Sequence, residues 1–180
     1  MLKITKTPLD GVILIEPDVH GDNRGFFKES FQEKRYKDIG IDYSFVQDNI
    51  SRSKKGVLRG LHFQKNNPQG KLVSCINGSV YDVAVDINVN SRSFGEYFGV
   101  LLTSSNHLQL WIPPGYAHGF CVVSDTADFY YKCTDFYNPD DECGLIWNDP
   151  KLNIKWPIDN PSVSKKDQSL PSLDLVSMDS

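Results

Sequence analysis

Apolar residues along this chain come in short runs, and Gly, Pro, Asn or Asp separates one run from the next. Such a pattern predicts strands rather than helices. Residues 12–16 form an early strand closed by Pro17. Residues 20–25 carry turn chemistry, and 26–30 form a second strand. Residues 32–39 have the make-up of a short helix stopped by Gly40, the only helix expected before the C-terminal region. Within 81–87 the alternation is strict, so Val83, Val85 and Ile87 share a face. Further strands are predicted over 99–103, 107–112, 119–124 and 128–134, with Pro113-Pro114-Gly115 ending the one at 107–112. Strands at near-regular spacing predict an antiparallel sandwich or barrel. From Asn138 onward the chain turns polar and proline-rich, which predicts an extended tail with a few helical turns laid over the sheets. No linker, internal repeat or low-complexity segment interrupts it, so 1–180 is expected to be a single domain.

One run departs from this apolar pattern. Gly56-Val57-Leu58-Arg59-Gly60-Leu61-His62-Phe63-Gln64 is apolar enough for a buried strand, yet carries an arginine and a histidine. Burying such groups is costly unless each has a partner or a task. Val46-Gln47-Asp48-Asn49 precedes it and Gly70-Lys71-Leu72-Val73 follows, so three strands are expected to bring polar side chains together. His62 reads either as a hydrogen-bonded core histidine or as a general base, since an unperturbed imidazole titrates near pH ~6.5. Arg59 and His62 are three apart, which on a regular strand puts them on opposite faces. A bulge at Gly60 would bring both to one side; the alternative leaves Arg59 outward in a surface ion pair.

Composition narrows the classes. With 39% hydrophobic and 23% charged residues the chain is ordinary for a globular protein. The 8 Tyr, 10 Phe and 3 Trp suit sheets and supply stacking surfaces for a ring-shaped ligand. A net charge of −4 argues against a nucleic-acid binder. No apolar run approaches a membrane span and no signal-peptide pattern opens the chain, so no membrane partner and a cytoplasmic location are expected. Cys75, Cys121, Cys133 and Cys143 show neither zinc-site spacing nor a disulfide framework; the first three are expected as buried thiols.

Pro113-Pro114-Gly115-Tyr116-Ala117-His118 has the P-x-G-x-x-H spacing and resembles the second motif of the cupins, a double-stranded β-helix family. In metal-binding cupins that histidine joins an earlier H-x-H and a glutamate. Here the earlier position is His62-Phe63-Gln64, one histidine short, so a cupin without a metal is expected. Asp128-Phe129-Tyr130-Tyr131-Lys132-Cys133 sets Phe129, Tyr131 and Cys133 on one face. There Tyr131 is either core or a proton donor. Ser164-Lys165-Lys166-Asp167 is either a solvated turn or the source of a carboxylate, Asp167, that orients His62.

In combination these stretches go further. Arg24-Gly25-Phe26-Phe27-Lys28-Glu29, Val46-Gln47-Asp48-Asn49, the run through His62, Gln69-Gly70-Lys71-Leu72-Val73, Asp82-Val83-Ala84-Val85-Asp86, residues 111–120 and Trp147-Asn148-Asp149-Pro150 resemble the dTDP-4-dehydrorhamnose 3,5-epimerase family over nearly the whole chain. The resemblance implies a mainly β cupin jelly-roll barrel with short peripheral helices. It implies an isomerase without a cofactor, acting on a dTDP-4-keto-6-deoxy sugar in dTDP-L-rhamnose synthesis. It implies His62 as base, Asp167 as its partner, Lys71 beside the ketone and Tyr131 as acid. Arg59 matches a diphosphate contact, and Tyr137 an aromatic near the nucleotide base. Gln47, Asn49 and His118 match pocket-lining positions. Arg24, Phe27 and Glu29 match a segment that reaches the partner's nucleotide in a homodimer formed by N-terminal strand exchange. Three rivals stand beside this reading: a metal-dependent oxygenase using His62 and His118, a non-catalytic sugar-nucleotide-binding cupin, and an epimerase acting at carbon 3 or 5 alone. Ile50, Lys54-Lys55 and Asn66-Asn67 depart from the family pattern without touching the acid, the base or the lysine.

Overall fold

The computed structural model describes residues 2–178. Its elements in chain order are β1 (Lys3–Lys6), β2 (Ile13–Glu16), β3 (Val19–Asp22), β4 (Gly25–Lys28), α1 (Glu33–Asp38), β5 (Gln47–Lys54), β6 (Val57–Gln64), β7 (Lys71–Asn77) and β8 (Ser79–Asp86). There follow β9 (Tyr97–Thr103), β10 (Gln109–Ile112), β11 (Tyr116–Val122), β12 (Thr126–Cys133), β13 (Glu142–Gly144), β14 (Ser162–Val163), α2 (Lys165–Gln168) and α3 (Leu173–Met178). One sheet has the order β1-β2-β10-β7-β12-β5, and the other β13-β6-β11-β8-β9 with β14 added parallel to β6. The two sheets face each other in the expected jelly-roll arrangement.

Three layers of apolar contact hold the sheets in place. Between them lie Val73, Cys75, Leu110, Ile112, Ala127 and Phe129 from the first sheet, and Val80, Ala84, Leu102, Phe120 and Val122 from the second. Behind the second sheet, Leu61, Val83, Val85 and Ala117 pack on Leu145, Leu152 and Leu173 of the tail. Behind the first, Ile15, Leu72 and Trp111 pack on Tyr36 of α1 and on Ile41. Both faces of the central strands are therefore buried, so runs such as Leu72-Val73-Ser74-Cys75 stay inside end to end.

Sequence and structure differ at element ends. Residues 20–25 are not all turn: only Asn23 and Arg24 separate β3 from β4, because a two-residue loop lets its flanks pair. Asp22 Oδ1 accepts the Arg24 amide at 2.8 Å and closes that loop. β10 starts at Gln109 rather than at residue 107, where His107 has φ +57° and Asn106 Oδ1 takes the amides of Thr103 and Leu108. α1 keeps the expected limits, with Gln32 accepting the Arg35 amide at its start.

The bulge lies where parity required it. In the β6–β11 ladder Arg59 stands opposite Phe120 and His62 opposite His118, so two residues of β6 face Gly119 alone. Partners across an antiparallel ladder share a face. Phe120 packs between the sheets, so Arg59 and His62 both turn inward. Gly60 makes this possible with φ +120°; a Cβ there would lie 2.6 Å from the Gly119 Cα.

Candidate active site

Along the interior of the sandwich the apolar core gives way to polar side chains at one end. Tyr131 extends the row of Ala127 and Phe129, Lys71 extends Val73 and Cys75, and His118 extends Phe120 and Val122. They line a cavity of about 330 Å³ with Gln47, Asn49, Ser51, Arg59, His62, Gln69, Tyr137 and Glu142. Eight residues singled out in the sequence thus meet in one place: Gln47, Asn49, Arg59, His62, Lys71, His118, Tyr131 and Tyr137.

Asp167 stands behind this wall. Ser164 caps α2 by accepting the Asp167 amide at 3.0 Å, and the Asp167 carboxylate is buried against β6. Its Oδ1 meets His62 Nε2 at 2.9 Å, and its Oδ2 accepts the Gly60 amide at 3.1 Å. Burial alone would raise the Asp167 carboxyl, but His62, Gly60 and Ser164 outweigh it and hold it below the usual carboxylate range. The acceptor at Nε2 directs that nitrogen's proton to Asp167 and leaves Nδ1 of His62 with the basic lone pair.

A second pair lies beside the first. His118 stands opposite His62 in the ladder, and its Nε2 is 2.8 Å from Oδ2 of the buried Asp82. Phe129 stacks on the His118 ring at 5.9 Å. Burial pulls the Lys71 ammonium below its ordinary value, and pushes the Tyr131 phenol up to about 12. The side chains of Lys71 and Tyr131 form no hydrogen bond with any described residue, so both are open to a ligand in the cavity. Arg59 donates to Ser53 Oγ at 3.2 and 3.1 Å, which aims its guanidinium along the cavity wall.

Gln64, which replaces the second histidine of a metal cupin, is occupied elsewhere. Its amide donates to Asn67 O and Phe136 O and accepts the Asn138 amide, pinning the loop beside the cavity. Among the described residues no group of three or more His, Cys, Asp or Glu converges as a metal site.

Arg24, Phe27 and Glu29 lie away from this cavity. Arg24 pairs with Asp22 at the hairpin tip, Glu29 pairs with Arg35 of α1, and the Phe27 side chain is 70% exposed. Ser51, Gln69 and Glu142 line the cavity without having been singled out as site residues in the sequence. The only local signal at Glu142 is that it ends an acidic run, Asp140-Asp141-Glu142, in a polar tail, and the register of β13 against β6 is what brings it in.

The dTDP-4-dehydrorhamnose 3,5-epimerase family profile matches residues 6–174. A dTDP-4-dehydrorhamnose 3,5-epimerase of Escherichia coli is 52% identical over 176 residues, 96% of this chain and 95% of its own. The chain belongs to the dTDP-4-dehydrorhamnose 3,5-epimerase family. Its members are isomerases, so the resemblance in the sequence held for family, fold and enzyme class. Among solved structures, the dTDP-6-deoxy-D-glucose-3,5-epimerase of Legionella pneumophila in complex with dTDP-4-keto-L-rhamnose superposes with a TM-score of 0.97. That enzyme is 51% identical, and the match covers 99% of this chain and 96% of the other. A 3'-monoepimerase from Streptomyces bikiniensis, in complex with dTDP-quinovose, has a TM-score of 0.88 at 31% identity, covering 93% and 86%. The family fold is thus shared by enzymes whose names differ in the number of carbons inverted.

The Asp167 contacts carry a pH dependence. A carboxyl held below its unfolded value of 3.8 binds fewer protons when folded, so its stabilisation is full above that value and is lost as pH falls through the folded one. Asp167→Asn should cost on the order of 2 kcal/mol at pH 7, the scale of hydrogen bonds to a buried charge. By pH 3 the gap to wild type should narrow. Urea unfolding at both pH values measures it; an equal gap at both would contradict the assignment.

Proposed function

We propose that this protein epimerises carbons 3 and 5 of dTDP-4-dehydro-6-deoxy-D-glucose, giving dTDP-4-dehydro-L-rhamnose in the synthesis of dTDP-L-rhamnose. The observation that carries the reading is the Asp167-backed His62 on the wall of a cavity that also holds Tyr131 and Lys71.

The 4-keto group acidifies the protons on carbons 3 and 5. His62 takes one through Nδ1 while Asp167 holds Nε2–H and stabilises the resulting imidazolium. The electron pair moves to the ketone oxygen, forming an enolate, and Lys71 faces that oxygen. In a site shielded from water, a cation aimed at the developing charge is the strongest electrostatic aid available. Tyr131, kept protonated by burial, returns a proton to the opposite face and inverts the carbon. His62 then releases its proton and the Tyr131 phenolate takes one up, which restores both groups, and the cycle repeats at the second carbon. Arg59 holds the diphosphate as a planar donor, Tyr137 flanks the nucleotide base, and Gln47, Asn49 and His118 line the pocket.

We also propose a homodimer by strand exchange. The β3–β4 hairpin pairs with neither large sheet, and Phe26 and Phe27 on it are 60% and 70% exposed. A partner's sheet edge would cover them, and would bring Arg24, Phe27 and Glu29 to the partner's nucleotide. Phe26→Asp with Phe27→Asp should give a monomer by sedimentation, with weakened substrate binding. A fully active monomer would contradict the proposal. The four unpaired thiols fit a reducing, cytoplasmic setting.

The second reading, inversion at one carbon, is favoured by the likeness to the Streptomyces bikiniensis monoepimerase. Incubation with dTDP-4-keto-6-deoxyglucose in deuterium oxide decides between the two. The double epimerase yields rhamno-configured product with deuterium at both carbons, and His62→Ala should lower product and label together by roughly 10²-fold or more. Label at one carbon alone supports the second reading. No label at all would leave only a binding protein.

A further inference from the structure

Lysines elsewhere in the fold, among them Lys132, Lys151 and Lys166, are each paired with a carboxylate. Among the described residues Lys71 belongs to no such pair. In β7 it stands opposite Ile112 of β10 and Cys133 of β12, both buried. Partners across a ladder share a face, so the Lys71 stem lies between two apolar neighbours and its amine opens into the cavity. The carboxylates whose charge reaches it, Asp82 and Glu142, are bonded elsewhere, Asp82 to His118 and Glu142 to Tyr137. No bonded anion holds the ammonium form, and burial weakens it. An unprotonated amine is a nucleophile, and desolvation of this kind is what prepares lysines to form Schiff bases.

The same cavity offers donors to an anion. Arg59 lies along its wall, braced by Ser53. Ser51, two residues before Ser53 and on the same face of β5, also lines it, and the Ser51 Oγ is buried without a hydrogen-bond partner. A buried hydroxyl left unpaired is costly, and a ligand oxygen held by Arg59 would satisfy it.

We propose that this cavity captures small aldehydes that carry a phosphate, with Lys71 as the attacking amine and Arg59 and Ser51 as the phosphate's donors. The amine nitrogen attacks the carbonyl carbon, the carbinolamine loses water, and an imine joins that carbon to Nζ. No oxidant or reductant is needed, and water reverses the step. The proposal rests on the reading of the cavity as the sugar-nucleotide site, though not on how many carbons are inverted there. A captured aldehyde takes the place of the sugar ketone and its phosphate that of the diphosphate, so capture stops epimerisation. The substrate's own ketone escapes capture for two reasons. A ring ketone is more crowded and less electrophilic than an aldehyde, and the enolate formed from it draws a proton back onto Lys71. Lys71 is thus an ammonium against an enolate and an amine against an aldehyde.

Pyridoxal 5′-phosphate is the probe, used on the full chain at pH 7, where an ordinary lysine, titrating near ~10.4, is almost wholly ionised. Borohydride then fixes any imine as a secondary amine, and mass spectrometry of the digest locates it. The expected result is one adduct per chain, at Lys71, with turnover lost in step with labelling and with protection by dTDP. Lys28 is the internal comparison, because burial lowers its ammonium too but it lies outside the cavity. Pyridoxal, which has the aldehyde without the phosphate, should label Lys71 on the order of tenfold more slowly, the worth of a charge-assisted hydrogen bond. Arg59→Ala should remove most of that difference. Lys71→Arg keeps a cation that forms no imine and should take no label, with its Tm as the check that the fold is kept. Label on Lys28 or on surface lysines in preference to Lys71 would overturn the proposal, as would equal labelling by pyridoxal. So would an unlabelled Lys71 in a chain that turns over the sugar nucleotide. A chain that neither turns over nor binds dTDP by calorimetry would instead refute the sugar-nucleotide reading of the cavity, and the proposal with it.

Discussion

One buried carboxylate bridges the irregularity on which the cavity wall is built. Asp167 takes the Gly60 amide with one oxygen and His62 Nε2 with the other. The backbone group at the bulge and the side chain that the bulge redirects are thus held by the same residue. A regular β6 would send Arg59 and His62 to opposite faces. With two residues of β6 against Gly119, both point between the sheets. The close approach of Gly60 to Gly119 leaves no room for a side chain on either: a Cβ on Gly119 would lie 2.7 Å from the Arg59 carbonyl. Opposite His62, β13 carries Gly144, where a Cβ would lie 2.5 Å from the Leu61 carbonyl. Three glycines and one aspartate therefore make the local geometry, and the histidine follows from it.

The same burial acts in different directions on the groups around it. It lowers Lys71, raises Tyr131 and would raise Asp167, which its donors instead hold below the usual carboxylate range. The interior of the sandwich thus sets a phenol, an amine and a carboxylate-backed imidazole around one cavity with no salt bridge joining Lys71 or Tyr131 to the pair. Core strands supply the rigidity: Phe129, directly before the Tyr130-Tyr131 pair, is stacked on Phe120 at 4.1 Å and on His118 at 5.9 Å. A site whose side chains grow out of core rows inherits the precision of the core.

Much of this was legible in the residues. Arginine and histidine three apart in an apolar strand already demanded a bulge, and the glycine between them located it. The strict alternation of Val83 and Val85 gave their shared face, which the tail covers. The missing second histidine of the cupin motif found its counterpart in Gln64, whose amide pins a loop. Other features were not legible from local pattern. Asp167 lies 105 residues from its histidine; the residues left that contact as one of two readings, and only the family resemblance chose it. Glu142 enters through a three-residue strand whose register nothing in its own composition specifies. The hairpin at β3–β4 was mistaken for a longer turn because its residues are small, polar and exposed, while the pairing that makes them strands lies in the backbone.

The central claim is that His62 and Tyr131 serve opposite faces of one bound sugar, the first removing a proton and the second returning one. Tyr131→Phe separates these steps. Proton NMR in deuterium oxide follows deuterium entry into unreacted substrate and the appearance of inverted product in the same sample. With His62, Asp167 and Lys71 intact, the enolate still forms, and the proton returns only on the face it left. The account predicts that deuterium continues to enter the substrate while inverted product falls by roughly 10²–10⁴-fold, the usual worth of a positioned acid. An unchanged ratio of exchange to inversion would contradict it and make Tyr131 a packing residue.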